Sequence, residues 1–155
     1  EAFLNLPVSI GIINLHTGLS PYVKGGPNCT NWCIANNDWH LIGNTIMWIN
    51  AGIDTGNIIT SEAVDVTKCN SLYKAHLVIM EHAHNLYLKA IKYVLYNQSP
   101  YISVPQKDLG DGSLFLSKMW TTEVKKRMLH NWRKRKEKSL KATPQTISLP
   151  YKSEK

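Results

Sequence analysis

The chain has 155 residues, 43% of them hydrophobic and 19% charged, a composition typical of one globular domain with a buried core. No segment approaches the roughly 18 consecutive apolar residues that a membrane span requires, so a membrane-spanning function is not expected. Residues 1–15 lack the features of a signal peptide and the three cysteines form no C-x-x-C pair, so we expect a reducing, cytoplasmic location.

The net charge of +7 is unevenly distributed along the chain. Residues 1–117 contain 6 Lys/Arg and 8 Asp/Glu, whereas residues 118–141 contain 10 Lys/Arg and 2 Asp/Glu. We therefore predict a nearly neutral domain over residues 1–117, followed by a basic, partly helical tail over residues 118–155. The end of that tail, residues 142–155, contains two prolines and is expected to be a loose end.

The first predicted element is a β-strand at residues 8–15, because this run is rich in β-branched side chains and lacks helical spacing. Such a run is typical of a strand buried on both faces in a parallel sheet. A loop rich in glycine and proline follows at residues 17–28. A short helix is then predicted over about residues 29–37, with Asn28 or Thr30 as its N-cap.

Two further strands and a long helix follow in the sequence. The strands are predicted at residues 42–50 and 57–66, and a tight turn bounded by glycines separates them. Apolar residues at a spacing of three and four begin at Leu72 and predict a helix that stops before Ser99-Pro100, since a residue that precedes proline disfavours the helical region. Strands that alternate with helices in this way indicate an α/β domain.

The last third of the chain gives weaker signals. Residues 113–118 have the composition of a short strand, and residues 121–140 that of a basic helix. The run from Lys125 to Lys136 concentrates positive charge around Trp132, which could stack on a nucleic-acid base. The alternative is a solvated basic helix with no partner.

The candidate metal ligands in the sequence are cysteines, histidines and one glutamate. Cys29 and Cys33 share a face of the predicted helix but lack a second ligand pair, so we interpret them as small core residues. His82 and His84 point about 200° apart on a helix and cannot chelate one ion together. Glu81 and His84 share a face, but a third ligand is not evident, and no metal site is predicted.

Polar side chains at two strand ends form the candidate site. Asn14 and His16 lie two residues apart at the end of the first strand, so both point to the same side. Asp54 lies on the turn that follows the second strand, and sites in α/β sheets form at such ends. An amide, an imidazole and a carboxylate together could catalyse acyl transfer. The alternative is a structural asparagine, a capped turn and a surface histidine.

Five motifs in a fixed order extend this interpretation. They are Ile13-Asn14-Leu15-His16, Leu19-Ser20-Pro21-Tyr22-x-x-Gly25, Trp32-x-Ile34, Gly43-x-Thr45-Ile46 and Gly52-Ile53-Asp54-Thr55-Gly56-x-Ile58-Ile59. Over about residues 8–97 the chain resembles the folate-dependent formyltransferases, a family whose members act on methionyl-tRNA, glycinamide ribonucleotide and nucleotide-linked amino sugars. The resemblance implies part of a Rossmann-like formyltransferase sheet flanked by helices. It also implies that the N-terminal part of the catalytic domain is missing, because the chain opens at Glu1, close to the strand that carries the first motif.

The resemblance also implies roles for individual residues. Asn14 would bind the formyl oxygen as it gains negative charge, His16 would stabilise that charge and take part in proton transfer, and Asp54 would hold the histidine or a water. The cosubstrate would be 10-formyltetrahydrofolate, bound with no metal by residues of the turn. Those residues are Gly52, Ile53, Asp54, Thr55 and Gly56. The chain departs from the family at Met47, where many members have histidine, and at Ser20, where the proline loop more often has leucine.

The implied reaction is transfer of a formyl group to a primary amine. We expect the acceptor to be an amino-sugar nucleotide or another small amine, because no large tRNA-binding domain is evident after residue 100. Methionyl-tRNA is an alternative that the basic tail favours. Two more alternatives are a hydrolase of formyltetrahydrofolate and a non-catalytic remnant that binds nucleic acid through the tail.

Overall fold

The computed structural model describes residues 8–97, 100–101, 103–137 and 141–149. Its strands and helices are β1 (Ile13–His16), β2 (Val23–Gly25), α1 (Cys29–Asn36), β3 (Gly43–Trp48), β4 (Ile58–Ala63), α2 (Leu72–Tyr96), β5 (Ser113–Phe115) and α3 (Thr122–Arg133). Short 3₁₀ turns occupy Trp39–Leu41, Gln106–Asp108, Ser117–Met119 and Arg135–Glu137. This mixture of elements confirms the predicted α/β class.

The strands form two small sheets. One has the order β1-β3-β4 and is antiparallel throughout, with Asn14 opposite Met47 and His16 opposite Thr45. The other pairs β2 with β5 in parallel. The expected parallel neighbour of the first strand is therefore wrong for the described sheet, in which β1 pairs with β3. An apolar run indicates burial, and it carries no information about the direction of the partner strand.

The predicted first strand is also too long. Residues 8–12 lie outside β1, and Gly11 has a φ of 140°, a conformation that interrupts an extended strand. Val8 and Ile10 are about half exposed, at 49% and 50%, so this part of the apolar run does not enter the core. The later strands agree better, since β3 and β4 lie inside the predicted ranges.

The first two predicted helices begin at polar caps. The Asn28 side chain accepts a hydrogen bond from the Asn31 N–H at 3.0 Å, which starts α1 within the predicted range. The Ser71 hydroxyl accepts from the Lys74 N–H at 3.1 Å and starts α2. Helix α2 ends at Tyr96, before the proline, as predicted. Among the described ranges, no helix is long and apolar enough to cross a membrane.

Helix α2 packs against the three-stranded sheet. Its buried residues are Ala75, Ile79, Ala83, Leu86, Ala90 and Val94. Leu86 and Ala90 form a cluster with Ile46 of β3 and Ile59 of β4, and Ile13 and Leu15 of β1 pack against that cluster. Because strand side chains alternate between faces, the other β1 side chains point away from α2. The sheet face that is not covered by α2 is therefore the face that carries the candidate site.

Helix α3 packs on α1 in a second core. Met128 and Trp132 are buried in the same apolar cluster as Cys33 and Ile34 of α1. The Asn131 Nδ2 group donates to the backbone carbonyls of Ile34 at 2.9 Å and Ala35 at 3.0 Å. This part of the basic tail is thus attached to residues 1–117, whereas the division at residue 117 into domain and tail stays a prediction.

Of the two interpretations of the basic run, base stacking by Trp132 is not supported by the structure. Its side chain is only 8% exposed, its ring lies 6.2 Å from that of Trp39, and the Arg135 guanidinium covers it at 4.2 Å from the ring centroid. Burial of the ring against a cation leaves no open face on which a base could stack. Trp132 is therefore a residue of the hydrophobic core.

The expected loose end is wrong for residues 142–149. The Ile147 N–H donates to the Ser61 Oγ at 3.0 Å, and its carbonyl accepts from the Ser61 N–H and the Thr60 hydroxyl, both at 2.8 Å. These bonds attach the segment to β4. Residues 150–155, the rest of the predicted loose end, lie outside the described residues.

Replacement of Trp132 by alanine is expected to lower the free energy of unfolding by about 3–5 kcal/mol, because it leaves a cavity between α1 and α3. Urea denaturation measures this change. The matched control is Leu129→Ala on the same helix, where the side chain is 46% exposed and the cost should be small. Equal losses in the two variants would contradict the docking of α3.

Candidate active site

The end of β1 presents two polar side chains on the face away from α2. Leu15 packs against the α2 cluster, so Asn14 and His16 on either side of it point the other way, as the sequence predicts. The His16 side chain is buried, at 7% exposure of the residue, whereas Asn14 is partly exposed. The end of β1 therefore carries a buried imidazole and a partly solvent-exposed amide.

The turn between β3 and β4 holds Asp54 in an unusual backbone conformation. Asp54 has a φ of 50°, in the left-handed region. The side-chain oxygen of Asn50 accepts from the Gly52 N–H at 3.1 Å and from the Thr55 hydroxyl at 2.8 Å. A Cβ added to Gly56 would collide with the Trp48 carbonyl oxygen, so only glycine fits at that end of the turn.

The structure brings the three predicted catalytic residues into contact. Asp54 Oδ1 lies 3.4 Å from Asn14 Nδ2, and Asp54 Oδ2 lies 3.4 Å from His16 Nδ1. The same Oδ2 accepts a 2.9 Å hydrogen bond from the Gly25 N–H. One carboxylate thus links the end of β1, the turn after β3 and the glycine-rich loop. The catalytic roles of the three residues stay predictions.

The surroundings of His16 define the roles of its two ring nitrogens. Nε2 lies 3.0 Å from the Val23 carbonyl oxygen, which can only accept, so Nε2 carries a hydrogen. Nδ1 then faces the carboxylate of Asp54, and an ion pair forms when the ring carries a second proton on that nitrogen. A carbonyl on one side and a carboxylate on the other fix the orientation of the imidazole.

The thiol beside His16 is held in its neutral form. Cys29 Sγ lies 3.6 Å from His16 Nε2. Burial, and secondarily the negative charge of Asp54, raises the pKa of Cys29 to about 12. Because the thiolate is the nucleophilic form, Cys29 is not poised to attack a substrate at neutral pH. The prediction that Cys29 and Cys33 are core residues is confirmed by their burial.

His82 of α2 belongs to a separate polar network. His82 Nε2 lies 3.0 Å from Glu62 Oε2, and His82 Nδ1 lies 2.9 Å from Asn44 Nδ2. Glu81 and His84 are exposed on the same helix. In the part of the chain that the structure describes, no group of three His, Cys, Asp or Glu side chains is arranged to hold a metal ion.

A cavity of about 240 Å³ lies beside Asn14 and the Asp54 turn. It is lined by Asn14, Met47, Trp48, Ile49, Asn50, Gly52, Ile53, Asp54, Thr55 and Gly56. All five residues predicted to contact folate are in this lining. The volume is below the roughly 300–1,000 Å³ of complete small-molecule sites, and contact of these residues with folate stays a prediction.

Sequence reasoning missed two residues that shape the site. The Thr45 hydroxyl donates to the Gly18 carbonyl at 2.7 Å and accepts from the Ser20 N–H at 3.0 Å, which ties the proline loop to β3. The Gln106 side chain donates to two backbone carbonyls of the Asp54 turn. Thr45 lies within the motif Gly43-x-Thr45-Ile46, but a threonine in a strand carries no signal for this role. Gln106 lies in the last third of the chain, where the sequence signals are weak.

Curated proteins with similar sequences include methionyl-tRNA formyltransferases. The protein of Clostridium perfringens (strain SM101) is 33% identical over 95 residues, which cover 61% of this chain and 30% of that protein. The protein of Azobacteroides pseudotrichonymphae is 29% identical over 139 residues, which cover 85% of this chain and 42% of that protein. The chain therefore spans less than half the length of these relatives.

Solved structures with a similar fold include formyltransferases that act on sugars. The formyltransferase PseJ from Anoxybacillus kamchatkensis matches 69% of this chain and 53% of its own, with a TM-score of 0.59 and 24% identity. An N-formyltransferase from Helicobacter canadensis matches 78% of this chain and 47% of its own, with a TM-score of 0.63 and 21% identity. These matches confirm the predicted fold, part of a Rossmann-like formyltransferase sheet flanked by helices.

The family described as Formyl transferase matches residues 1–91, more than half of the chain. The matched region contains β1 with Asn14 and His16, the Asp54 turn and most of α2. The resemblance inferred from the sequence motifs is thereby confirmed. This chain belongs to the formyl transferase family.

Proposed function

We propose that the protein transfers a formyl group from 10-formyltetrahydrofolate to a primary amine, with Asn14, His16 and Asp54 as the catalytic residues. The observation that carries the proposal is that Asp54 contacts both Asn14 and His16, and that Asn14 and Asp54 line one cavity although 40 residues separate them in the sequence. Family membership supports the reaction class. Because the chain spans only part of its relatives, the activity is proposed for the protein in its complete natural form.

Asn14 is proposed to stabilise the negative charge that develops on the formyl oxygen. Its Nδ2 has two hydrogens, and one is directed to Asp54 Oδ1 at 3.4 Å. The second can donate to an oxygen in the cavity that Asn14 lines. A preorganised donor of this kind stabilises developing charge without a reorganisation cost.

His16 and Asp54 are proposed to hold and move a proton beside that oxygen. Asp54 Oδ2 and His16 Nδ1 lie 3.4 Å apart, and the Gly25 N–H fixes the same carboxylate oxygen. A protonated ring places positive charge near the developing oxyanion. An attacking amine can reach the formyl carbon directly, so the proposal requires no covalent enzyme intermediate.

The turn residues are proposed to contact the folate. The cosubstrate supplies the activated formyl group, and Gly52, Ile53, Thr55 and Gly56 line the cavity next to Asp54. The structure of PseJ contains tetrahydrofolate, and that of the Helicobacter canadensis enzyme contains folinic acid.

The three free cysteines further support a reducing, cytoplasmic location for the enzyme.

An amino-sugar nucleotide or another small amine is the acceptor that we propose first. The matching structures contain a UDP-linked formamido sugar in one case and dTDP-3-aminofucose in the other. They cover up to 78% of this chain, which includes elements beyond residue 91. This likeness supports a small acceptor.

Methionyl-tRNA is the second candidate acceptor, and two observations favour it. The curated relatives are methionyl-tRNA formyltransferases. Helix α3 and the following turn also expose basic side chains that form no ion pair with another described residue. They are Lys125, Lys126, Arg133, Lys134 and Lys136. Binding of tRNA through this surface would weaken steeply as the salt concentration rises.

Formyl transfer tests the proposal and separates its acceptors. The protein, expressed from its complete natural coding sequence, is incubated with 10-formyltetrahydrofolate and either amino-sugar nucleotides or methionyl-tRNA. Release of tetrahydrofolate is followed by absorbance, and the formylated product by mass spectrometry. Amine-dependent release supports transfer, release without an amine indicates a hydrolase, and no release by a folded protein would refute both.

A further inference from the structure

Gln106 makes two hydrogen bonds, one partly buried and one buried, to the turn that carries Asp54. Its Nε2 donates to the Asp54 carbonyl at 2.7 Å and to the Gly56 carbonyl at 2.8 Å. The residue is 8% exposed and begins a short 3₁₀ turn directly after Pro105. Paired hydrogen bonds between Ile58 and Val104, at 2.8 and 3.0 Å, bring this segment alongside the turn.

The orientation of the Gln106 amide follows from its partners. Carbonyl oxygens only accept, so the nitrogen must face them, and a flipped amide would place oxygen against oxygen. Both hydrogens of Nε2 are then used on the turn. The other end of the amide, Oε1, is buried with no hydrogen-bond partner among the described residues.

The two carbonyls that accept from Gln106 belong to the residues before and after Thr55, so these bonds hold the backbone on both sides of Thr55. Asp54 itself is in the left-handed region, with a φ of 50°, so a small change in the turn redirects its carboxylate. The side-chain bonds that Asn50 makes to Gly52 and Thr55 in the same turn are exposed to solvent. Water can replace those exposed bonds more readily than the bonds from Gln106, of which one is partly buried and one is buried.

We infer that Gln106 is a positioning residue that aims the Asp54 carboxylate at Asn14, His16 and the Gly25 amide. The catalytic consequence rests on the proposed function, but the positioning is a property of the turn itself. In metal sites, residues that orient the ligands through hydrogen bonds typically change activity about 10–100-fold when they are replaced, and we expect an effect of similar size here. A shift of the turn by about 1 Å is enough for a loss of this size.

Gln106→Met tests the inference, because methionine keeps the length of the side chain and removes both donors. The chain offers a matched control in Asn131, whose amide also donates to two backbone carbonyls, those of Ile34 and Ala35. Asn131→Leu therefore removes the same kind of bond pair at the α1–α3 contact. Thermal unfolding of both variants shows how far each loss affects stability alone.

Formyl-transfer kinetics provide the first readout, in the protein expressed from its complete coding sequence. Gln106→Met is expected to lower kcat by about 10–100-fold with a smaller effect on the KM for the acceptor. Asn131→Leu should leave kcat close to that of the wild type, even where its loss of stability is equal. Equal kcat losses in the two variants would reduce Gln106 to a structural residue.

Amide exchange at Gly25 provides a readout that needs no activity. The Gly25 N–H donates to the Asp54 carboxylate at 2.9 Å, so its exchange rate, measured by NMR, reports where that carboxylate lies. We expect faster exchange in Gln106→Met and no change in Asn131→Leu. Unchanged protection of Gly25 in Gln106→Met would overturn the inference. If the Gly25 N–H loses protection in Gln106→Met, the positioning role is supported, whether or not the protein transfers a formyl group. If the wild-type protein transfers no formyl group, the proposed function is refuted separately.

Discussion

Replacement of Asn14 by alanine is expected to reduce kcat for formyl transfer by about 10²–10³, the usual cost of removing one oxyanion donor. The loss should appear in kcat and in kcat/KM alike, because the bond to the formyl oxygen strengthens only as negative charge develops. The steady-state rate of tetrahydrofolate release with the preferred amine measures it. The substitution removes a partly exposed amide, so the fold should tolerate it.

The matched control for Asn14→Ala is Asn44→Ala in β3. Asn44 is fully buried and donates to the Ile79 carbonyl at 3.1 Å, away from the cavity. Its loss should lower the free energy of unfolding more than the loss of Asn14, because it removes the hydrogen bonds that a fully buried side chain makes to the Ile79 carbonyl and to His82 Nδ1. Turnover should nevertheless stay near the wild-type value. Near-normal turnover in a folded Asn14→Ala variant would remove Asn14 from the mechanism.

Replacement of Asp54 by asparagine is expected to cost about 10³-fold or more in kcat, since one carboxylate serves three partners. The change removes the negative charge that faces His16 Nδ1. An amide in either orientation also places its NH₂ group against another donor, that of Asn14 or Gly25. The loss should persist across the whole pH range in which the protein stays folded.

The control for Asp54→Asn is Asp65→Asn. Asp65 Oδ1 accepts from the Thr67 N–H at 2.8 Å and from the Thr67 hydroxyl at 2.7 Å, in an exposed turn outside the cavity. This variant makes the same chemical change in a capped turn that has no proposed catalytic role. Its activity should match that of the wild type. If both variants lose activity equally, the loss comes from net charge or folding and not from the site.

The parts of the fold that the sequence predicts are those with a local physical cause. The caps at Asn28 and Ser71, and the proline beyond Tyr96, bound two helices because they act on neighbouring backbone groups. Alternation along a strand likewise places Asn14 and His16 on one side without knowledge of the rest of the molecule. These predictions hold because each depends on residues within a few positions of one another.

The parts that the sequence does not predict depend on distant contacts. Gln106 reaches a carbonyl 52 residues away, and the Gly25 amide reaches a carboxylate 29 residues away. Neither a backbone amide nor a lone glutamine carries a sequence signal for such a role. For α3, a signal existed in the spacing of Met128 and Trp132, but the surrounding charge favoured an exposed tail.

A double-mutant cycle between Asn14 and Asp54 tests most directly whether the two side chains act as one site. Formyl-transfer rates are measured for Asn14→Ala, Asp54→Asn and the double variant in the protein expressed from its complete coding sequence. Residues that act as a unit are strongly non-additive, so the double variant should lose little more than the more damaging single change. Losses that multiply to give the rate of the double variant would mean that the 3.4 Å contact has no part in catalysis.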